Sequence, residues 1–141
     1  FPVDFDFCPH TYIFPQDADE FEKDRLSPEA AEKGTLWIFK PSASSCGKGI
    51  RILDKDAPIP ANKKGFIISE YISNPHIIDE KKYDLRIYVL VTSFNPLTIY
   101  IYEDGLVWFA TVKYNLDPEN MDNKFIHLTN YSINKKNEDY I

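Results

Sequence analysis

Basic residues fall short of acidic ones in this chain, sixteen against twenty-two, leaving a formal net charge of −6. Nucleic-acid binders are usually basic, so the balance argues against a nucleic acid as partner. It argues equally against strong electrostatic attraction to another acidic surface. Cysteine is scarce too. Cys8 and Cys46 lie far apart and match no metal or redox spacing, so they read as free thiols in a reducing compartment. No apolar run approaches a membrane span, and no signal peptide is visible, which leaves a membrane role without support. Asn130-Tyr131-Ser132 fits the glycosylation sequon, but without a secretory signal it reads as accidental. There is no internal repeat and no low-complexity tract. Phe1 opens the sequence and Met121 is its only methionine, so a piece of a longer protein is expected.

What is present is a globular composition. The chain is 43% hydrophobic and 15% aromatic over 141 residues, enough for one modest core. Pro2, Pro9 and Pro15 keep the aromatic opening segment extended. Asp17-Ala18-Asp19-Glu20 reads as a capped helix start, and Ser27-Pro28-Glu29 starts a second helix that Gly34 ends. Residues 35–40, 50–53 and 66–72 are short β-branched or aromatic runs, hence strands. Residues 56–64 form a loop rich in Pro and Lys. Residues 84–94, 97–103 and 106–112 follow, separated by Asn95-Pro96 and by Glu103-Asp104-Gly105. They are expected to pair as a three-stranded antiparallel meander. The predicted class is α+β, with one layer of helices on a mostly antiparallel sheet.

Three stretches carry candidate chemistry. The first is WIFKPSASSCGKGIRIL, residues 37–53. Gly47 and Gly49 let backbone N–H groups approach an anion closely. Lys48, Ser44 and Ser45 add a cation and hydroxyls, and Lys40 closes the preceding strand. The set suits a polyphosphate. It is not a Walker A loop, because Lys48 is followed by Gly49. An ordinary hairpin with surface lysines would read the same way.

The second is KYDLRIYVLV, from Lys82. Alternate side chains of a strand share a face, so Leu85, Ile87, Val89 and Val91 form one row and Lys82, Asp84 and Arg86 the other. Such charged rows are usually solvated surface. Tyr88 and Leu90 continue this one, which predicts partial cover and a cleft. The third is HLTNYSINKK, from His127, which packs many hydrogen-bonding side chains into few residues. A lone histidine is normally structural; one beside Thr129-Asn130 is a better ligand candidate.

In order and spacing these pieces resemble the tubulin-tyrosine-ligase-like family of the ATP-grasp superfamily, nearest its polyglutamylase branch. The matching stretches are Trp37-Ile38-Phe39-Lys40-Pro41, Gly47-Lys48-Gly49-Ile50, Glu70-Tyr71-Ile72, Lys82-Tyr83-Asp84-Leu85-Arg86-Ile87-Tyr88-Val89 and residues 127–136. The resemblance covers nearly the whole chain. It implies an incomplete ATP-grasp-like domain, with residues 1–72 the central nucleotide-lid part and 73–141 the start of the C-terminal part.

The resemblance also implies roles. ATP would be held by Lys40 and by a lid at Ser45, Cys46, Gly47, Lys48 and Gly49. Ser69, Glu70, Tyr71 and Ile72 resemble the strand that pairs with adenine. Lys82, Tyr83 and Asp84 resemble adenine and ribose contacts. His127, Thr129 and Asn130 fall on the phosphate side. Arg86 resembles a catalytic cation, and Trp108, Tyr131 and Ser132 fall at the free amino acid. Magnesium is implied, with its ligands on a later segment, so no metal ligand is assigned here. The implied reaction is ATP-dependent addition of free glutamate, through an acylphosphate, to glutamate side chains of tubulin or a similar acidic protein. That goes with a monomer in the cytoplasm, on the cytoskeleton, a cilium or a basal body, and with inactivity of the isolated piece. Trp108 stands where the family usually has an arginine that clamps the amino-acid carboxylate, and Cys46 where related enzymes often have arginine. Both departures keep two alternatives open: a glycine-adding sister ligase and a non-catalytic tubulin-binding homologue.

Overall fold

The computed structural model describes residues 7–59 and 65–140. The opening of the extended segment and the second half of the 56–64 loop lie outside them. The α+β reading stands. The elements run β1 (Thr11–Phe14), α1 (Ala18–Arg25), α2 (Pro28–Lys33), β2 (Trp37–Pro41), β3 (Arg51–Leu53), β4 (Phe66–Glu70), β5 (Ile77–Ile78), β6 (Lys81–Phe94), β7 (Leu97–Phe109), a 3-10 turn (Pro118–Asn120), α3 (Lys124–His127) and α4 (Tyr131–Asn134). They fall into two compact units, Phe1–Pro75 with Leu116–Asp122 and His76–Asn115 with Asn123–Ile141. The strands therefore form two sheets, where the sequence suggested one.

The first unit is built on an antiparallel sheet of order β1-β4-β2-β3. Strand β1 alternates, with Tyr12 and Phe14 buried and Thr11 and Ile13 exposed, as a half-buried strand should. In β2, Trp37, Ile38 and Phe39 are all buried. An aromatic core follows. Phe21, the one buried side chain of α1, sits 5.1 Å from the rings of both Tyr12 and Trp37. Phe66 stacks on Phe14 at 4.4 Å. Each such ring removes enough apolar surface to contribute about 1.5–3 kcal/mol.

The helix starts differ from each other. Ser27 Oγ accepts a hydrogen bond from Ala30 N, and Gly34 ends α2 in the left-handed region at φ 59°. Asp17 does not cap α1. Its carboxylate turns back and accepts from Ile13 N at 2.7 Å, fixing the β1–α1 turn instead.

The second unit is dominated by β6 and β7, paired over their length, with β5 on the other edge of β6. The predicted three-stranded meander is thus a two-stranded ribbon. Glu103-Asp104-Gly105 does not turn the chain. The partner moves from Gly105, opposite Ile87, to Ile101, opposite Val89, so the extra residues are absorbed as a bulge between two long paired stretches. A Cβ on Gly105 would lie 2.7 Å from the Arg86 carbonyl oxygen, so only glycine lets the strands meet there. The cover predicted from Tyr88 and Leu90 is not found. They are 49% and 61% exposed, and Leu85, Ile87 and Val89 on the opposite row are exposed as well.

Candidate functional site

The residues singled out by sequence divide between the units. Lys40, the 45–49 loop and 69–72 lie in the first; Lys82 to Arg86, Trp108 and 127–132 lie in the second.

Lys40 is held on β2, paired with Ile67 of β4. The loop after it is tied at its base, where Ser42 N and Ser42 Oγ both donate to the Gly65 carbonyl. It is tied again across its tip, where Ser44 Oγ donates to the Lys48 carbonyl and Lys48 N donates to the Ser45 carbonyl. Cys46, Gly47 and Gly49 all take positive φ, 58°, 71° and 75°. Left-handed residues at these positions turn the loop tightly, and the two glycines let other groups approach its backbone closely. Lys48 is exposed at the tip. At the end of β4, Ser69 is buried and accepts a hydrogen bond from Thr11 Oγ1. Two of the amide groups assigned to adenine are engaged within the protein: Glu70 N donates to the His10 carbonyl and Tyr71 N to the Leu36 carbonyl. Ile72, beyond them, is exposed.

In the second unit the strand pattern places Asp84 opposite Trp108. Thr129 Oγ1 donates a hydrogen bond to the Asp84 carboxylate, joining the second and third motifs. The Arg86 guanidinium lies over the Trp108 indole, 5.1 Å from its centroid. Tyr83 is occupied structurally: its hydroxyl meets His76 Nδ1 at 3.0 Å. His127 is buried, with its ring edge-on to Tyr114. Asn130 starts α4, and its carbonyl accepts from Ile133 N and Asn134 N. Trp108, Thr129 and Tyr131 line one cavity of about 360 Å³ together with Thr111, Asp79 and Lys81; Ser132 does not line it. Tyr131 also carries the Lys135 ammonium over its ring at 5.2 Å.

Sequence reading gave Asn134 no role of its own, yet it organises this region. Fully buried, it accepts from Thr111 N and Thr111 Oγ1 and donates to the Leu128 and Asn130 carbonyls. The only signal was its place in a run dense in polar side chains. Among the described residues the only cluster of three possible metal ligands is His10, Glu20 and Asp24. It contains none of the residues assigned to ATP. Within those assigned to the second unit, Asp84 is the single carboxylate and is bound by Thr129, so they do not fit a magnesium site.

These features define an antiparallel α+β chain of ATP-grasp-like type, with a tight glycine-bearing loop after a strand lysine. The chain belongs to the tubulin-tyrosine ligase family, whose model matches residues 1–141. It is 44% identical over 137 residues to the human tubulin polyglutamylase TTLL5, covering 97% of this chain and 10% of the relative. It is 44% identical to the human tubulin monoglutamylase TTLL4, covering 97% of this chain and 11% of that protein. With the tubulin polyglutamylase TTLL7 of Mus musculus it shares 40% over 138 residues, 97% of this chain and 15% of the relative. The chain thus spans between a tenth and a sixth of these relatives' lengths.

Proposed function

We propose that this chain is the nucleotide-lid and early C-terminal part of an ATP-dependent ligase that adds glutamate to glutamate side chains of tubulin or a similar acidic protein. The observation that carries the reading is the joint arrangement in the second unit, where Asp84 meets Thr129 and Arg86 meets Trp108 beside one cavity. The names of the relatives support tubulin glutamylation as the reaction class.

The chemistry balances in two steps. A carboxylate oxygen of the acceptor glutamate attacks the γ-phosphorus of ATP, and ADP leaves. The amine of the free amino acid then attacks the acylphosphate carbonyl; phosphate leaves, the nitrogen loses a proton and an isopeptide bond remains. Negative charge grows on the transferring phosphoryl group and then on the carbonyl oxygen. Fixed cations aimed at those positions lower the barrier most. Lys40, Lys48 and the amides of the 45–49 loop would hold the phosphates, and Arg86 would face the reacting group. The cavity beside Trp108 and Tyr131 would take the amino acid. Magnesium, which the family implies, has no ligand set among these residues. Residues 1–72 and 73–141 are read as the two functional parts, in a monomer acting on the cytoskeleton.

The test is incorporation of labelled glutamate, glycine and tyrosine, each separately, into tubulin by the full protein that carries this chain, with ATP and magnesium. Glutamate incorporation supports the reading; glycine moves it to the sister ligase. Trp108, which cannot form a bidentate pair with a carboxylate, favours a second reading, a tubulin-binding homologue without ligase activity. Tubulin binding with no incorporation of any amino acid would favour it.

A further inference from the structure

A cluster of metal-ligating side chains lies outside everything assigned to ATP or amino acid. His10, just before β1, and Glu20 and Asp24 of α1 each offer one ligand atom, and all three atoms lie within 4.8 Å of one another. Glu20 and Asp24 are four residues apart on a helix, so they share a face and repel each other. Among the described residues neither is paired with a lysine or arginine. The ion pair on this helix joins Arg25 to Glu22 instead. The two carboxylates therefore lie near His10 with no lysine or arginine paired to either among the described residues.

Tyr12 stands behind the cluster. It is 1% exposed, its ring stacks on His10 at 4.5 Å, and its hydroxyl donates to Asp24 Oδ2 at 2.7 Å. The same hydroxyl lies 3.4 Å from His10 Nδ1. An outer hydrogen bond that fixes one ligand is the usual companion of a metal site. His10 and Glu20 are exposed and can rotate to close on an ion, while Asp24 is held.

We propose that His10, Glu20 and Asp24 form a binding site for a divalent transition metal of the zinc type, with Tyr12 as the outer donor to Asp24. One imidazole nitrogen and two carboxylate oxygens suit zinc at bond lengths of about 2.0–2.2 Å, with water completing the sphere. An imidazole disfavours calcium and magnesium, which take oxygen ligands. The bound ion would staple α1 to β1, because it ties a residue before the strand to two on the helix. Nothing in this depends on the ligase reading.

The experiment is titration of the purified chain with Zn²⁺ in a non-chelating buffer, followed by calorimetry and thermal unfolding. One ion should bind, and it should raise the unfolding temperature. His10→Ala should weaken binding at least about tenfold, and Tyr12→Phe should weaken it about tenfold. The double variant Glu20→Gln/Asp24→Asn should lose the thermal shift, while Cys8→Ser should keep it. Three results would overturn the site: wild-type affinity in His10→Ala, loss of binding in Cys8→Ser alone, or no uptake by a chain whose near-ultraviolet circular dichroism shows the aromatic core packed. Calcium or magnesium bound as tightly as zinc would overturn the assignment of metal class.

Discussion

The guanidinium of Arg86 rests on the indole of Trp108, two neighbouring strands holding them 5.1 Å apart. Among the described residues Arg86 has no carboxylate partner, so its N–H fork stays available while the ring fixes its position. A stack of this kind contributes about 0.5–2 kcal/mol. In the full protein, Trp108→Leu should therefore lower the rate of glutamate incorporation about 2- to 30-fold. Trp108→Phe should recover part of that loss, and Arg86→Ala should cost about a hundredfold. Measured kcat and KM for the amino acid separate the effects: a lost stack lowers kcat, while a lost substrate contact raises KM.

The Thr129 hydroxyl on the Asp84 carboxylate ties α4's approach to the strand that carries the assigned ribose contact. Thr129 is buried, so removing its hydroxyl leaves Asp84 without that donor. Thr129→Val should weaken ATP binding by about 1–3 kcal/mol, roughly 5- to 150-fold. Thr129→Ser should bind nearly as wild type. Calorimetric titration of the full protein with ATP checks this, and equal affinity in Thr129→Val would remove the pair from the nucleotide site.

What could be read from the sequence follows from how local each signal is. Ser27, Pro28 and Gly34 fix α2 through contacts within one turn, so the helix was legible with both its ends. The β-branched and aromatic runs of β2 and β4 were legible for the same reason. Asp17 carried the same type of signal as Ser27, but a competing backbone donor, Ile13 N, takes its carboxylate. Glu103-Asp104-Gly105 has turn composition, yet the pairing on either side of it overrides local preference and makes a bulge. Within the site, Asp84 and Arg86 were visible as a row. Their partners Thr129 and Trp108 lie 45 and 22 residues away, and no periodicity connects them. Asn134 was missed because its role depends on Thr111, Leu128 and Asn130 arriving together.

Two glycines with the same handedness should respond differently to alanine. Gly34 has φ +59° and nothing within 4 Å of an added Cβ. Gly49 has φ +75°, and its Cβ would meet Pro41 Cγ at 2.9 Å. Gly34→Ala should cost only the left-handed penalty, about 1–2 kcal/mol. Gly49→Ala adds a clash with a rigid proline ring and should cost more, while also displacing the loop assigned to the phosphates. Urea unfolding gives the two stabilities, and ATP affinity should fall for Gly49→Ala alone.

Burial and the Asp24 carboxylate raise the Tyr12 hydroxyl well above its ordinary value of 10.0. The sign follows from proton counting. Below pH 10 the tyrosine is protonated in both states, and its full contribution to stability is present. Above pH 10 the unfolded chain releases this proton while the folded chain keeps it, so the folded state binds more protons and stability falls as pH rises. One unit of difference corresponds to about 1.4 kcal/mol. Tyr12→Phe removes the titrating group, so its unfolding free energy should fall less steeply than wild type between pH 10 and pH 12. The same variant should be less stable at pH 7, because Asp24 loses its 2.7 Å donor. Urea midpoints of the two proteins at pH 7, 9, 10.5 and 12 test both halves. Parallel curves would mean that Tyr12 does not hold its proton in the folded chain.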